Sequence, residues 1–278
     1  MANEPKFFAS FFSKKKNFPW DFSPTAEGQM KAIILAAGRG SRMMNLTEDR
    51  PKCLVEFKGK TLLDWQLGAI SAVGINEVGI VTGYKRDLIA ERGSAEFNNP
   101  AWAETNMVAS LERAAAWLES DVCLVSYSDI FYEAQALRLL SATPADIAIT
   151  YDPLWLEAWQ RRFEDPLSDA ESFRFGQDGS VLEIGNKAER IEDIQGQYMG
   201  LLRIAPQGWR EIQRVLNQLS HGDRAKIHMT GLLQRVATAG VRKVMAVAYA
   251  GEWGEIDSAS DLAAYVDRPT AARRTPSG

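Results

Sequence analysis

Cysteine and histidine are scarce in this sequence of 278 residues, which contains two of each. Cys53 and Cys123 follow the spacing of neither a zinc site nor a disulfide framework. The two histidines, His221 and His228, have no metal-ligand partner at helical spacing, so a zinc centre is not expected. A chain with so few thiols and no disulfide pattern is most simply interpreted as a cytoplasmic protein.

Long apolar runs and an excess of positive charge are also missing. No stretch reaches the roughly 18 apolar residues of a transmembrane helix, so no membrane span is expected. The 32 Lys and Arg face 36 Asp and Glu, a net charge of −4, which argues against nucleic acid as a partner. The aromatic and lysine-rich first residues do not fit a signal peptide. They are interpreted as an arm that packs on the domain or on a sister subunit, or stays mobile, so a homo-oligomer is left open. An aromatic and basic arm that associates with a membrane surface is the alternative.

The most informative feature that is present is a glycine loop around residue 40. An apolar segment at 32–36 is followed by the small residues 37–41, then by Arg42 and a Pro51-Lys52 pair. Glycines in the loop let the backbone N–H groups approach an anion, and the two side chains add positive charge. This pattern predicts a phosphate site at the carboxyl end of the first strand of an α/β sheet.

Two familiar glycine motifs do not fit this loop. A dinucleotide fingerprint needs a third glycine where Met43 stands, and the Gly-Lys-Ser/Thr of a Walker loop is absent. A plain strand–turn–helix junction, in which the glycines only make the turn, remains an alternative.

Alternating elements predict the fold class. The predicted strands lie at 32–36, 77–81, 122–126 and 147–150, and the predicted helices between them lie at 62–73, 107–118 and from 133 onward. This order predicts an α/β fold, a single Rossmann-like mixed, mainly parallel sheet flanked by helices. After residue 151, further elements are predicted as strands at 173–175, 181–184, 197–204 and 244–247, and as helices at 207–219, 228–239 and 259–266. We expect an N-terminal extension at 1–29, one domain at 30–266 with a small antiparallel insertion at about 151–200, and a disordered tail at 267–278.

Several motifs over residues 30–266 resemble one known family. The similar segments are Leu35-Ala36-Ala37-Gly38-x-Gly40-x-Arg42, Pro51-Lys52, Val81-Thr82-Gly83-Tyr84, Ser126-Tyr127-Ser128-Asp129 and Glu255-Ile256-Asp257. They look like the signature of sugar-phosphate and choline-phosphate nucleotidyltransferases. The resemblance implies a nucleotide-diphospho-sugar transferase fold, with coupling of a nucleoside triphosphate to a phosphorylated small molecule and release of pyrophosphate. Within the family, the segments are most similar to those of phosphocholine cytidylyltransferases and relatives acting on phosphoryl or phosphonyl amines, which implies CTP and such an amine as substrates.

Three cations are predicted to take part in catalysis. Arg42 and Lys52 follow the glycine loop, where positive charge would stabilise the departing pyrophosphate. Lys187 resembles the family lysine that grips the phosphate of the acceptor. The alternative for all three is solvated surface charge.

Two aspartates are predicted to hold Mg²⁺. Asp129 follows the strand at 122–126, and Asp257 follows Glu255, which strand alternation places on the same face. The resemblance implies that the aspartates hold the metal between the α-phosphate and the acceptor. The alternative is that both only cap turns or helices.

Nucleotide recognition is expected from the glycine loop and from the ends of neighbouring strands. The resemblance implies that the backbone at 36–38 and 82–83, with the amide of Asn106, reads the base. The predicted nucleotide-binding residues are Leu35, Ala36, Ala37, Gly38, Arg39, Gly40, Ser41, Thr82, Gly83, Asn106 and Ser128. The alternative for Asn106 is that it caps the helix that begins at Met107.

The acceptor pocket is expected in an aromatic and acidic part of the chain. The predicted residues are Tyr151, Asp169, Glu171, Tyr198 and Trp253. Aromatic faces beside carboxylates suit an ammonium group, whereas the alternative is an ordinary aromatic core. The sequence departs from phosphocholine enzymes around Asp169 and His228, which leaves phosphoethanolamine or an aminoalkyl phosphonate open. Two other functions remain as alternatives: transfer to a sugar 1-phosphate, and a non-catalytic nucleotide-binding regulatory module.

Overall fold

The computed structural model of the protein describes residues 30–266. The predictions for the extension at 1–29 and for the tail at 267–278 therefore lie outside the described residues. Within the described range, no helix is long and apolar enough to cross a membrane.

Strands and helices alternate along the described chain. The strands are Lys31–Leu35 (β1), Glu56–Phe57 (β2), Lys60–Thr61 (β3), Val78–Thr82 (β4), Ala95–Asn98 (β5), Cys123–Tyr127 (β6), Ile130–Tyr132 (β7), Ile147–Asp152 (β8), Glu171–Phe175 (β9), Val181–Lys187 (β10), Gln197–Ile204 (β11), Val244–Ala248 (β12) and Trp253–Glu255 (β13). The helices are Leu62–Ser71 (α1), Met107–Leu111 (α2), Ala115–Ser120 (α3), Ala134–Ser141 (α4), Trp155–Arg162 (α5), Pro206–Leu216 (α6), His221–Lys226 (α7), Met229–Ala239 (α8) and Ala259–Val266 (α9).

Seven strands form the central sheet in the order β12-β8-β11-β6-β1-β4-β5. Strand β1 pairs in parallel with β4 and β6, while β11 runs antiparallel to its neighbours β6 and β8. The sheet is thus mixed and mainly parallel, which confirms the predicted fold class. Strand β1, which has a neighbour on each side, is buried over residues 32–35, as expected when helices cover both faces of a sheet.

Three small antiparallel pairs stand beside the central sheet within the described residues: β9–β10, β7–β13 and β2–β3. The hairpin β9–β10 turns at Gly179, whose φ of 78° lies in the left-handed region that glycine tolerates. The pair β7–β13 places Glu255 opposite Ile130, and Ile256 N–H donates to the carbonyl oxygen of Asp129 at 2.9 Å. This pairing brings two distant parts of the sequence to the carboxyl edge of the sheet.

The predicted helix at 107–118 is wrong as a single element. The structure divides it into α2, a short 3-10 turn at Glu112–Ala114, and α3. Ala114 leaves the helical region with φ −92° and ψ 17°, so the helix axis is interrupted there. Strand β5, which the sequence analysis did not predict, lies at the sheet edge, where only one neighbour pairs with it.

Candidate active site

The carboxyl ends of β1, β4 and β6 bring the predicted nucleotide-binding segments together. In parallel strands these ends meet at one edge of the sheet, where α/β folds bind ligands. Residues 82–84 pack on the glycine loop, since Tyr84 N–H donates to the carbonyl oxygen of Ala37 at 2.9 Å. A Cβ atom on Gly83 would lie 2.6 Å from that same oxygen, so only glycine allows this approach.

The loop itself makes close contact with Lys52. Gly40 has a φ of 71°, and a Cβ atom there would lie 2.9 Å from both Cβ and Cδ of Lys52. The lysine side chain therefore runs directly across the glycine of the loop. The structure places the two elements of the predicted phosphate site, loop and lysine, in contact.

Lys52 is buried between two carboxylates. Its Nζ donates to Asp129 Oδ2 at 2.8 Å and also to Asp257 Oδ1. Burial alone would lower the pKa of Lys52, but the two neighbouring carboxylates outweigh burial and raise it. Lys52 is therefore a permanent cation at the mouth of the sheet.

A third carboxylate, Glu255, joins the two aspartates. One oxygen from each of Asp129, Glu255 and Asp257 lies within 4.8 Å of the others. Burial raises the pKa of Glu255 to about 8, and the charges of Asp257 and Asp129 add to that rise. Glu255 was not among the predicted metal ligands. Strand alternation places residues 255 and 257 on one face, and that pattern could have identified it.

The cluster fits a hard divalent cation. Asp129 Oδ1 is buried and, among the described residues, has no hydrogen-bond partner. An unsatisfied carboxylate oxygen beside two further carboxylates is the type of donor set that Mg²⁺ prefers, with phosphate oxygens and water completing its coordination. A cation there would also relieve the repulsion that raises the pKa of Glu255.

A buried glutamine holds the turn that carries Asp129. Gln66 of α1 is fully buried, and its Nε2 donates to the carbonyl oxygens of Tyr127 at 2.9 Å and Ile130 at 2.6 Å. These two carbonyls flank the aspartate on either side. No pattern in the sequence points to Gln66, because a single glutamine in an apolar helix carries no motif.

One cavity of about 280 Å³ opens between the glycine loop and α2. Of the predicted nucleotide-binding residues it is lined by Leu35, Ala37, Gly38, Gly40, Ser41, Asn106 and Ser128, and Lys52, Asp129 and Asp257 line it as well. The other four predicted residues, Ala36, Arg39, Thr82 and Gly83, do not line it. Thr82 is fully buried and its hydroxyl donates to Glu96, while the Arg39 guanidinium lies over the ring of Tyr84. The side chain of Arg42 is outside what the structure describes.

Asn106 is the N-cap of α2. Its Oδ1 accepts from Met107 N–H at 2.8 Å, which bears out the capping alternative. Its Nδ2 donates to the carbonyl oxygen of Lys226 at 3.2 Å and to Nδ1 of His228 at 3.1 Å. Both amide hydrogens are thus engaged within the protein, and only a lone pair of Oδ1 remains for a base.

A second cavity, also of about 280 Å³, adjoins the carboxylate cluster. Four of the five predicted acceptor residues line it: Asp169, Glu171, Tyr198 and Trp253. Tyr151 does not, because it is buried in the core against the rings of Phe173 and Phe175, each 5.1 Å away between centroids. For that residue the aromatic-core alternative describes the structure.

Lys187 lines neither cavity. It is exposed at the end of β10, opposite Glu171 in the β9–β10 ladder. Its ladder partner Glu171 lines the second cavity, whereas Lys187 itself is exposed, so its predicted contact with the acceptor phosphate stays a prediction.

The second cavity is acidic and aromatic. Trp159 Nε1 donates to Asp169 Oδ2 at 3.1 Å, and Trp253 Nε1 donates to Asp152 Oδ2 at 2.9 Å. Partial burial of its carboxyl group raises the pKa of Glu171, although Thr230 and His228 oppose that rise. Among the described residues that line this cavity there is no lysine or arginine. Such a lining favours a cationic group over an anionic one.

Comparison with known proteins identifies similar domains. Residues 32–187 match the model of the MobA-like NTP transferase domain. The CTP:phosphoglutamine cytidylyltransferase of Campylobacter jejuni is 34% identical over 255 residues, which cover 86% of this chain and 100% of that protein. The CMP-5'-(3-aminopropyl)phosphonate synthase of Streptomyces rubellomurinus is 33% identical over 128 residues, 43% of this chain and 20% of that protein. The solved CTP:phosphocholine cytidylyltransferase of Streptococcus pneumoniae has the same fold, with a TM-score of 0.64 and 20% identity over 86% of this chain and 98% of that chain.

Proposed function

Because this chain belongs to the MobA-like NTP transferase domain family, we propose that it is a Mg²⁺-dependent cytidylyltransferase. Nucleotidyl transfer itself follows from the family. The proposed acceptor is a small molecule that carries a phosphoryl or phosphonyl group and an amine. One observation carries the proposal: Lys52 and three clustered carboxylates lie where a glycine-loop cavity meets an acidic, aromatic cavity.

The reaction requires little covalent chemistry from the protein. A phosphoryl or phosphonyl oxygen of the acceptor attacks the α-phosphorus of CTP, a new P–O bond forms, and the bond to the β-phosphate breaks to release pyrophosphate. The attacking oxygen is already anionic, so no general base is needed. Catalysis then depends on alignment and on stabilisation of negative charge.

Residues of the first cavity would orient the triphosphate. Gly38, Gly40 and Ser41 line this cavity beside Lys52, so backbone N–H groups of the loop would bind phosphate oxygens there, and the lysine supplies a permanent positive charge. Asp129 and Asp257, with Glu255, would hold Mg²⁺, which would neutralise charge on the α-phosphate and the acceptor oxygen. Arg42 remains a predicted partner of the triphosphate, and Lys187 a predicted partner of the acceptor phosphate.

Support for cytidine and for an amine comes from the relatives and the second cavity. The names of the two relatives and of the solved neighbour include CTP or CMP, and their second substrates are phosphoglutamine, an aminopropylphosphonate and phosphocholine. Each of these carries an amine or a quaternary ammonium group. The carboxylates of Asp169 and Glu171, beside the indoles of the cavity, would balance that charge.

The test is pyrophosphate release from the purified full-length protein with Mg²⁺. CTP, UTP, GTP and ATP are each combined with phosphocholine, phosphoethanolamine, 2-aminoethylphosphonate, phosphoglutamine and glucose 1-phosphate. We expect turnover with CTP and at least one amine acceptor, and its loss with EDTA. Turnover with glucose 1-phosphate alone, or with a nucleotide other than CTP, would contradict the proposal.

A matched pair of variants tests the site residues in the same assay. Asp257→Asn removes a carboxylate from the cluster, whereas Asp193→Asn changes an exposed aspartate that pairs with Arg190. We expect the first to abolish pyrophosphate release and the second to leave it unchanged. Near-wild-type turnover of Asp257→Asn would reject the metal assignment.

A further inference from the structure

A buried arginine lies beside the carboxylate cluster, next to Glu255. Arg162 is the last residue of α5, and its side chain is only 2% exposed. Its guanidinium lies over the rings of Trp159 and Phe163, at 5.3 and 5.1 Å from their centroids. These contacts and its burial leave this cation little freedom to move.

Arg162 is connected to the segment that carries Glu255 and Asp257 at two points. Its Nε donates to Asp261 Oδ1 at 2.8 Å, and its Nη1 lies 3.6 Å from Glu255 Oε2. Nη1 is buried and makes no hydrogen bond within residues 30–266. Nη1 therefore lies close to the carboxylate of Glu255 without donating a hydrogen bond to it.

Asp261 extends this connection to the backbone of the cluster. Its Oδ2 accepts from the N–H groups of Asp257 at 3.0 Å and Ser258 at 2.9 Å. The carboxylate of Asp261 is therefore shared between Arg162 and the peptide bonds that set the direction of the Asp257 side chain. Burial would raise the pKa of Asp261, but its contacts with Arg162, together with the hydrogen bonds from Ser258 and from Asp257 N–H, hold that pKa below its ordinary value.

The two cations that flank the cluster differ in how firmly they are held. The ammonium of Lys52 donates to the carboxylates of the cluster themselves, so its position depends on the cluster. The planar guanidinium of Arg162 is held by aromatic rings and by Asp261, so its position does not depend on the cluster. Groups that orient metal ligands from behind in this way tune the affinity of the site.

We infer that Arg162 is a positioning residue of the metal site: through Asp261 and Glu255 it fixes the segment 255–258 so that its carboxylates converge on one cation. This inference rests on the proposed function, because it assigns a role toward the proposed Mg²⁺. Since Trp159 also lines the acceptor cavity, the same arginine connects a wall of that cavity with the metal ligands.

Two other roles for Arg162 predict different results. If it acted only through its charge, its removal would tighten cation binding, because a positive group near Glu255 repels a second cation. If it were only a packing residue, its removal would lower the melting temperature and leave metal affinity unchanged. A positioning role predicts weaker metal binding even when the positive charge is kept.

The experiment measures Mn²⁺ binding to the full-length protein by electron paramagnetic resonance, with and without CTP. The variants are Arg162→Gln, Arg162→Lys and Asp261→Asn. Arg161→Gln is the matched control, because Arg161 is the preceding helix residue and pairs on the exposed side with Glu157. Circular dichroism and melting temperature establish which variants fold. If Arg162→Gln does not fold, Arg162→Lys and Asp261→Asn still test the inference.

We expect all three changes to raise the Kd for Mn²⁺ about tenfold or more, since loss of an outer-shell partner has effects of that size. Arg161→Gln should bind Mn²⁺ with the wild-type Kd. The double variant with Arg162→Gln and Asp261→Asn should bind Mn²⁺ no more weakly than either single variant, because both residues act through one connection. Wild-type affinity in Arg162→Lys, tighter binding in Arg162→Gln, or a change in melting temperature alone would overturn the inference.

Asp257→Asn separates this inference from the proposed function. If the wild type binds Mn²⁺ and Asp257→Asn does not, the metal site stands, and unchanged Arg162 variants then refute only the positioning role. If the wild type binds no Mn²⁺ with or without CTP, the metal assignment and the inference both fail.

Discussion

At the scale of single residues, Gly40 explains how a lysine can reach two carboxylates. Its left-handed φ and the 2.9 Å approach to the Lys52 chain leave no room for a Cβ atom. Gly40→Ala is expected to cost about 1 kcal/mol of stability from backbone strain and to displace Lys52. A displacement of about 1 Å can reduce turnover about 100-fold, which steady-state pyrophosphate assays would show.

Gly68→Ala is the control for that change. Gly68 lies within α1, a Cβ atom there would meet no other atom within 4 Å, and the residue touches neither cavity. Alanine at this position should stabilise the protein by roughly 0.8 kcal/mol or slightly more, as helix propensity predicts, with turnover unchanged. Equal activity loss in both variants would show that the contact with Lys52 is not the reason for glycine at position 40.

Glu171 makes acceptor binding dependent on pH at the same scale. Partial burial of the Glu171 carboxyl holds its pKa above the ordinary value of 4.5, so folding favours the protonated form. The free energy of unfolding of the wild type should therefore fall, relative to that of Glu171→Gln, as pH rises above that value. An ammonium group binds the ionised form. We therefore expect the ratio of acceptor KM values, Glu171→Gln over wild type, to be near unity in acid and to rise about tenfold toward neutral pH. A ratio that does not change with pH would contradict contact between Glu171 and the amine.

At the scale of elements, the start of α2 connects the nucleotide cavity to the α7–α8 junction. Asn106 caps α2 through Met107 N–H and also bonds Lys226 and His228. Asn106→Ala should lower the free energy of unfolding by about 1 kcal/mol or more and raise the KM for CTP. Urea denaturation and initial rates measure these two effects.

The matched change is Thr61→Ala, which removes the N-cap of α1 away from both cavities. Thr61 Oγ1 accepts from Asp64 N–H at 3.0 Å, so its loss should also cost about 1 kcal/mol. The KM for CTP should stay at the wild-type value. If Asn106→Ala behaves as Thr61→Ala does, Asn106 is a cap and takes no part in nucleotide binding.

The predictability of each element followed from how much of it is buried. Strands β1, β4, β6 and β8 are apolar runs in the sequence because both faces of the central sheet are covered, and all four were predicted near their observed bounds. The edge strand β5 is only partly buried and has no such run, whereas β7 and β13 are mostly buried but, at three residues each, are too short to give a pattern.

At the scale of the whole molecule, the candidate site joins Lys52 to Asp257, which lie 205 residues apart in the sequence. A cation bound to Asp129, Glu255 and Asp257 would therefore stabilise the folded chain and not the unfolded one. Mn²⁺ at 100 times its Kd should add about 2.7 kcal/mol to the free energy of unfolding. Thermal melts with Mn²⁺ and with EDTA measure the shift.

Two aspartate variants decide whether that stabilisation comes from the cluster. Asp257→Asn should lose the shift, whereas the exposed Asp193→Asn should keep it in full. A shift that persists in Asp257→Asn would place the stabilising cation elsewhere on the molecule.

Local pattern and motif spacing predicted the sheet class and the glycine loop, and selected Lys52, Asp129 and Asp257, which the structure brings into contact. Which other side chains meet them became known only from the folded chain. Glu255, Gln66 and Arg162 joined the site, while Tyr151 went to the core and Lys187 to an exposed edge. The reason is that strand pairing and burial set the direction of each side chain, and both depend on partners that are far away along the chain.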